Sequence, residues 1–245
     1  MEWLSKIAPN LVNYWSKFLT NISATLQMFF ISGIIAFVLG LVIGTLLIVF
    51  KDGGVKPNKI AYTVISVIIN IFRSVPFIIL LVVLIPFTRV MVGTAIGVKG
   101  AIIPLVFGTV PFFSRQVETV LENVDKGKIE AAKSMGSSPI GLIFRVYLSE
   151  SVPELARVTT ITAISLVGLT AMAGAVGAGG LGDFAINYGQ GLNNWDIVWG
   201  CVIVLLIFVC IIQAIGSLIA KLTTNKKLFG SFKKRNKGEL EQNNK

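Results

Sequence analysis

The sequence predicts an all-α, polytopic membrane protein with five transmembrane helices, and three observations carry that expectation. Of the 245 residues, 54% are hydrophobic and only 14% charged, a balance that soluble domains rarely reach. Several apolar runs are long enough to cross a hydrocarbon core about 30 Å thick. The charges that remain fall mostly in alternate connections between those runs, the pattern that membrane insertion imposes. A net charge of +10 would raise the question of nucleic acid in a soluble protein. Here it has a home in cytoplasmic loops, and no nucleic-acid partner is expected. There is no histidine, which removes the commonest proton shuttle and metal ligand. Cys201 and Cys210 share one apolar run, off any metal-site spacing, and read as lipid- or helix-facing filler. The start, Met1 to Lys6, lacks a basic segment leading straight into a short apolar core, so no cleaved signal peptide is expected.

Residues 1–20 set Trp3, Ile7, Leu11, Trp15 and Phe18 at helical spacing, with Glu2, Lys6, Asn10 and Lys17 between them. That pattern predicts a short amphipathic helix lying in the headgroup layer. The membrane domain then occupies 21–220. Its first span, 24–49, carries Ala36, Gly40 and Gly44 four apart on one face, where another helix can approach closely. A basic turn comes next, at 51–59. From Ile60 to about Phe113 the chain is apolar and too long for one crossing, and the polar stretch from Thr88 to Gly100 divides it. Span two is placed at 60–87 and span three at 100–118. Pro76, Pro86, Pro104 and Pro111 lie in this region. Each frees a carbonyl and bends its helix, which suits a wall that moves better than a passive anchor. Arg73 is the one charge inside an apolar run. Either it is a functional intramembrane charge, or its guanidinium snorkels from a helix end to the interface.

The polar interval 119–157 is neither a tight turn nor a domain. It reads as two short helices, about 126–135 and 139–148, joined at Gly136, Ser137 and Ser138. Pro139 is suited to open the second, because a first-turn N–H is not needed. Ser137 and Ser138 supply candidate N-caps. So small a pair cannot bury much of its own surface, and it has the build of something that fits a groove on another protein. Ala131 and Ala132 are small enough for a partner's groove to close over them, and Gly136 permits the bend. Glu130 favours the positive end of a short helix and is placed to pair with Arg145 or Arg157. Span four is placed at 158–176. The stretch from Thr170 to Gly191 is too rich in glycine for a stable helix interior in water, and reads as close backbone contact with a hinge. No Gly-x-x-x-x-Gly-Lys-Ser/Thr occurs, so no nucleotide-hydrolysing site is expected. Span five is placed at 197–220, and residues 221–245 form a basic tail that frays into solvent or rests on anionic lipid. With the N-terminus outside, 17 of the 22 Lys and Arg fall on the inner side. The interval 119–157 and the tail are therefore expected in the cytoplasm.

These residues resemble a known family. Glu130-Ala131-Ala132, followed by Gly136 and then by Val146 and Leu148, resembles the EAA loop of ABC importer permeases. The stretches 70–80, 130–136 and 168–182 are similar to the permease of methionine importers, within a similarity running from about 20 to 220. One departure is Ser149, where the family motif usually has proline. The resemblance implies a type I ABC importer permease fold in a bacterial cell (inner) membrane. It implies a permease homodimer, since five helices hardly enclose a route for an amino acid. Two ABC ATPase subunits would dock on the cytoplasmic side, and a substrate-binding lipoprotein would deliver D- or L-methionine from outside, with membrane lipid around the bundle. Glu130, Ala131, Ala132 and Gly136 would couple the ATPase to the channel. Thr170, Met172, Gly174 and Gly177 would line or gate the route, against the alternative of a methionine packed in a helix interface. The chain itself would be no enzyme and hold no catalytic residue, metal or cofactor; ATP and magnesium would belong to the ATPase. The alternatives are a permease for another amino acid or a short peptide, and a stand-alone secondary carrier. Few intramembrane charges and no sign of an inverted repeat oppose the carrier. An intramembrane enzyme is opposed by the lack of paired carboxylates, a Ser/His arrangement or a metal cluster in any span.

Overall fold

The computed structural model describes residues 8–242, with side chains through residue 224. Helix α1 (Pro9–Asn13) is a single turn. After a break at Tyr14, α2 runs without interruption from Trp15 to Phe50. The surface helix expected over 1–20 therefore does not reach residue 20. Its first residues lie outside the described ones, and Trp15, Lys17 and Phe18 belong to the first turns of the span. Nothing from Trp15 to Phe50 stops a growing helix, because no proline intervenes and each added residue brings one more bond. Helix α1 is held by its backbone instead: the Asn10 and Leu11 N–H groups donate to an Asp196 carboxylate oxygen at 2.8 and 3.2 Å.

Asn58 caps α3 (Lys59–Ser74) by accepting from the Ala61 N–H at 3.1 Å. Pro76, which has no N–H to continue the ladder, then ends it. The chain bends by 104° into α4 (Phe77–Val83). Helix α5 (Ile85–Val92) comes next and closes on Gly93 at φ +81°. Span two is therefore a broken helix, not one crossing over 60–87. Helix α6 (Gly97–Glu122) starts earlier and ends later than expected, with Pro104 and Pro111 inside it. The small-residue face of α2 packs against it, and Ala36, Gly40 and Gly44 are all buried. A Cβ at Gly44 would sit 2.6 Å from the Ser114 carbonyl oxygen and from Val117 Cβ, so only glycine permits this approach.

Helix α7 (Lys126–Ser134) and α8 (Pro139–Leu142) form the short pair of the polar interval. The second member does not end at Leu148. It passes through a π-helical turn, Ile143–Leu148, into α9 (Ser149–Ala173), and the helix from Pro139 to Ala178 counts 40 residues. Ser149, unlike proline, donates its N–H to the turn before, so nothing interrupts the ladder there. After α9 come a distorted turn at Gly174–Ala178, α10 (Gly180–Phe184), and a second π-helical turn at Ala185–Gln190. The last helix, α11 (Trp195–Gln242), carries a helical backbone through the stretch expected to fray. Among the described residues four helices are long and apolar enough to span a membrane, and the bent α3–α4 pair makes up to five. No strand occurs among the described residues.

Candidate functional site

The α7–α8 pair is built from local signals. Asp125 opens α7 by accepting from the Gly127 N–H at 2.8 Å. At the other end Gly136 takes φ +76°, a left-handed conformation that costs a side-chain-bearing residue about 1–2 kcal/mol. Its N–H donates to Lys133 O at 3.0 Å and the Ser137 N–H to Ala132 O at 3.1 Å, the paired bonds of a Schellman cap. Ser138 then caps α8 by accepting from the Gly141 N–H at 3.1 Å, with Pro139 in the first turn. The bend, its glycine and the cap fall where the sequence put them.

The faces do not. Ile129 and Ala132 are buried, in one cluster with Ile48, Leu121, Val124, Leu142 and Tyr147. Ala132 is thus not offered to a partner: its smallness lets α7 lie close on its own bundle. Glu130, Ala131 and Gly136 are exposed. Beside them stand three apolar side chains that the sequence reading missed: Met135, Ile140 and Phe144, respectively 79%, 69% and 65% exposed. The four-residue spacing of Ile140 and Phe144 was the available signal. Glu130 does not pair with Arg145 or Arg157. Arg157 is taken by Glu154 at 3.1 Å, and Glu130 instead lines a cleft of about 330 Å³ with Lys51, Asp52, Lys126 and Lys133. Across that cleft Lys51 bridges Glu122 at 2.6 Å, and this carboxylate holds the Lys51 ammonium above its ordinary value of 10.5.

One level deeper, a polar clasp joins α3 to α6. Arg115 pairs with Glu118 at 2.6 Å, and the Tyr62 hydroxyl donates to the same carboxylate at 3.0 Å. Arg115 also donates to the Ser66 carbonyl and the Asn70 side-chain oxygen, at 3.4 and 3.3 Å. Arg115 falls near the end of the third span expected at 100–118, and its partners lie up to 49 residues away and carry no local pattern.

The glycine-rich stretch divides its four candidate residues. Thr170 is 1% exposed and donates to Val167 O at 2.7 Å. Gly174 is buried, and a Cβ there would lie 2.6 Å from the Asp183 nitrogen. Gly174 lets the turn after α9 lie close against α10, and Thr170 is buried with its hydroxyl bonded within α9. Met172, 46% exposed, and Gly177, at φ +92°, face outward. Helix α10 is pinned to α2 by bonds from the Gly180 and Leu181 N–H groups to Asn21 and Thr25 side chains, at 3.0 and 2.8 Å. Arg73 sits in the last turn of α3, at the break, exposed and without an ion-pair partner among the described residues. No group of three or more His, Cys, Asp or Glu placed to hold a metal occurs among the described residues.

Comparison with known proteins places this architecture. Residues 36–226 match the family described as binding-protein-dependent transport system inner membrane component. The D-methionine transport system permease protein MetI of Escherichia coli K12 is 49% identical over 137 residues, 56% of this chain. The match spans 63% of that relative's length, a little under two thirds. The probable MetI of Pasteurella multocida is 45% identical over 197 residues, covering 80% of this chain and 91% of its own. The methionine import system permease protein MetP of Bacillus subtilis is 47% identical over 177 residues, 72% of this chain and 80% of its own. Among solved structures, an inward-facing conformation of the MetNI methionine ABC transporter superposes with a TM-score of 0.84 at 44% identity, over 86% of this chain and 98% of that one. An amino acid ABC transporter with histidines shares the fold, with a TM-score of 0.71 at 19% identity over 86% of this chain and 96% of that one. A broken second span, a bent helical foot and a family match over most of the length converge: the chain belongs to the inner membrane components of binding-protein-dependent transport systems, among the MetI-type permeases.

Proposed function

We propose that the chain is the transmembrane permease subunit of an ATP-driven ABC importer that takes up methionine, in L or D form. Two copies form the pathway, two ATPase subunits bind beneath, and a binding lipoprotein delivers substrate from outside. The N-terminus lies outside and the tail inside, as the distribution of Lys and Arg favours. The observation that carries the reading is the foot. Met135, Ile140 and Phe144 are exposed apolar side chains in the polar interval, and Ile140 and Phe144 stand on a helix continuous with a membrane span. Such a lever transmits force from a bound motor into α9 without a hinge at Leu148. Glu130, Ala131 and Gly136 frame the docking face, and Ala132 fixes it to the bundle from behind. Met172 and Gly177 are the gate side of the glycine-rich stretch; Thr170 and Gly174 hold the turn on which they move.

The test is co-purification followed by reconstitution. The tagged permease is expected to bring down an ABC ATPase, and liposomes holding that complex and its binding protein are expected to accumulate methionine only with ATP. Uptake by the permease alone, without nucleotide, would overturn the reading in favour of a carrier.

A further inference from the structure

A cavity of about 290 Å³ opens at the break between α3 and α4, walled by α6 and α9. Arg73 lies 14 residues after the first residue of α3, about 21 Å along the helix. It is the only charged residue between Ile60 and Phe87. A guanidinium within so apolar a stretch is costly unless an anion or water meets it. No acidic residue lines the cavity, and among the described residues Arg73 has no ion-pair partner.

Three further features share that wall. Thr109 is 3% exposed and its buried hydroxyl has no hydrogen-bond partner. Ser114, buried on the same helix, satisfies its own by bonding Val110 O at 2.7 Å. An orphaned buried hydroxyl costs about 1–3 kcal/mol, and a bound ligand removes that cost. The end of α3 supplies acceptors: its last carbonyls have no following helical N–H, since Pro76 offers none and the chain turns away. The partial negative charge of a helix C-terminus favours a cation. Finally, Phe72, Phe77 and Phe112 line the cavity and give it an aromatic side suited to an unbranched apolar or thioether group.

We infer that this cavity is a transit site for a zwitterionic amino acid with a flexible apolar side chain. Arg73 takes the carboxylate, the α3 carbonyls and the Thr109 hydroxyl take the ammonium end, and the three phenylalanines take the side chain. Broken helices that present their ends to opposite charges of one solute are a recurring way to hold it in a membrane. The inference rests on the proposed role as an amino-acid importer and adds a selective site within the permease itself, apart from the binding protein.

The experiment uses the full permease–ATPase complex in detergent without its binding protein, and equilibrium dialysis with radiolabelled L-methionine. Norleucine is expected to compete, and 3-(methylthio)propylamine, which lacks the carboxylate, is not. Arg73→Gln is expected to weaken binding ~10-fold or more, the scale of a lost charge-assisted bond. Arg73→Lys keeps part of it. Thr109→Val is expected to weaken binding by ~3-fold or more, with Thr109→Ser restoring it. Thermal unfolding of each variant separates lost binding from lost fold. No saturable binding by the wild type, equal affinity in Arg73→Gln, or effective competition by the amine overturns the site. The same complex, with binding protein added, reports on the broader reading separately: methionine uptake without dialysis binding sinks this site alone, while absence of amino-acid uptake sinks the importer.

Discussion

Ala131 and Ala132 are neighbours with the same side chain and opposite surroundings. Ala132 is 5% exposed against Val124, Ile129 and Leu142, whereas Ala131 faces out. An aspartate at 132 would bring a carboxylate into that cluster with no cation among its members, and an unpaired buried charge costs several kcal/mol. Ala132→Asp is therefore expected to lower the yield and melting temperature of the permease. Ala131→Asp should melt as the wild type does and lose the ATPase on co-purification. Melting curves and pull-downs of the two variants side by side check both halves, and equal melting would contradict the burial of Ala132. Small size at two successive positions was legible in the sequence, but not which of them turns inward. That depends on the rotation of α7 about its axis, which Asp125, Gly136 and the packing of Ile129 set together. The Gly136 bend was legible because a Schellman cap, a serine N-cap and an opening proline are local chemistry.

At the scale of elements, proline marked where helices fail but not the direction the chain takes afterwards. Pro76 announced an interruption; the 104° turn is set by the packing of α4 on α6 and α9, through residues far away in sequence. The same distance hid the clasp between α3 and α6. Glu118 is nearly enclosed, its side chain 6% exposed against 20% for Arg115, so its loss leaves a guanidinium facing a half-dry interface. Removing one partner of a buried pair costs about 3–5 kcal/mol, and this site belongs at the lower end because water still reaches Arg115. Glu118→Ala is expected to destabilise by ~3 kcal/mol. Tyr62→Phe, which removes one hydrogen bond, is expected to cost ~1 kcal/mol. Chemical unfolding of the two single variants and the double one measures them. The double variant should cost less than the sum, because Tyr62 has no role at this carboxylate once Glu118 is gone. Simple additivity would mean that the two groups do not act through one carboxylate.

On the scale of the whole molecule, exposed apolar residues occur in two settings. Along α11, Ile203, Leu206, Ile207, Ile211 and Ile215 are exposed over a continuous span, and the bilayer covers them. Met135, Ile140 and Phe144 belong instead to the polar interval, at the cap of α7, in α8 and in the π-helical turn that follows it, and α7 carries Lys126, Lys128 and Lys133. Apolar side chains in a polar, charged frame are the composition of a buried interface core and its rim. Hydropathy cannot tell the two settings apart, which is why the spans were legible in the sequence and this patch was not. The consequence is a separation of fold from assembly. Because none of the three side chains contributes to the buried clusters, replacing them together by serine should leave the melting temperature of the isolated permease within the range of surface substitutions, about ±0.5 kcal/mol in stability. Anchors of this kind cost about 2 kcal/mol or more each when truncated at an interface. The triple variant is therefore expected to lose its ATPase on a size-exclusion column at concentrations where the wild-type complex holds together. A stable complex from the triple variant would move the docking face elsewhere on the permease and leave the exposure of these side chains without a cause.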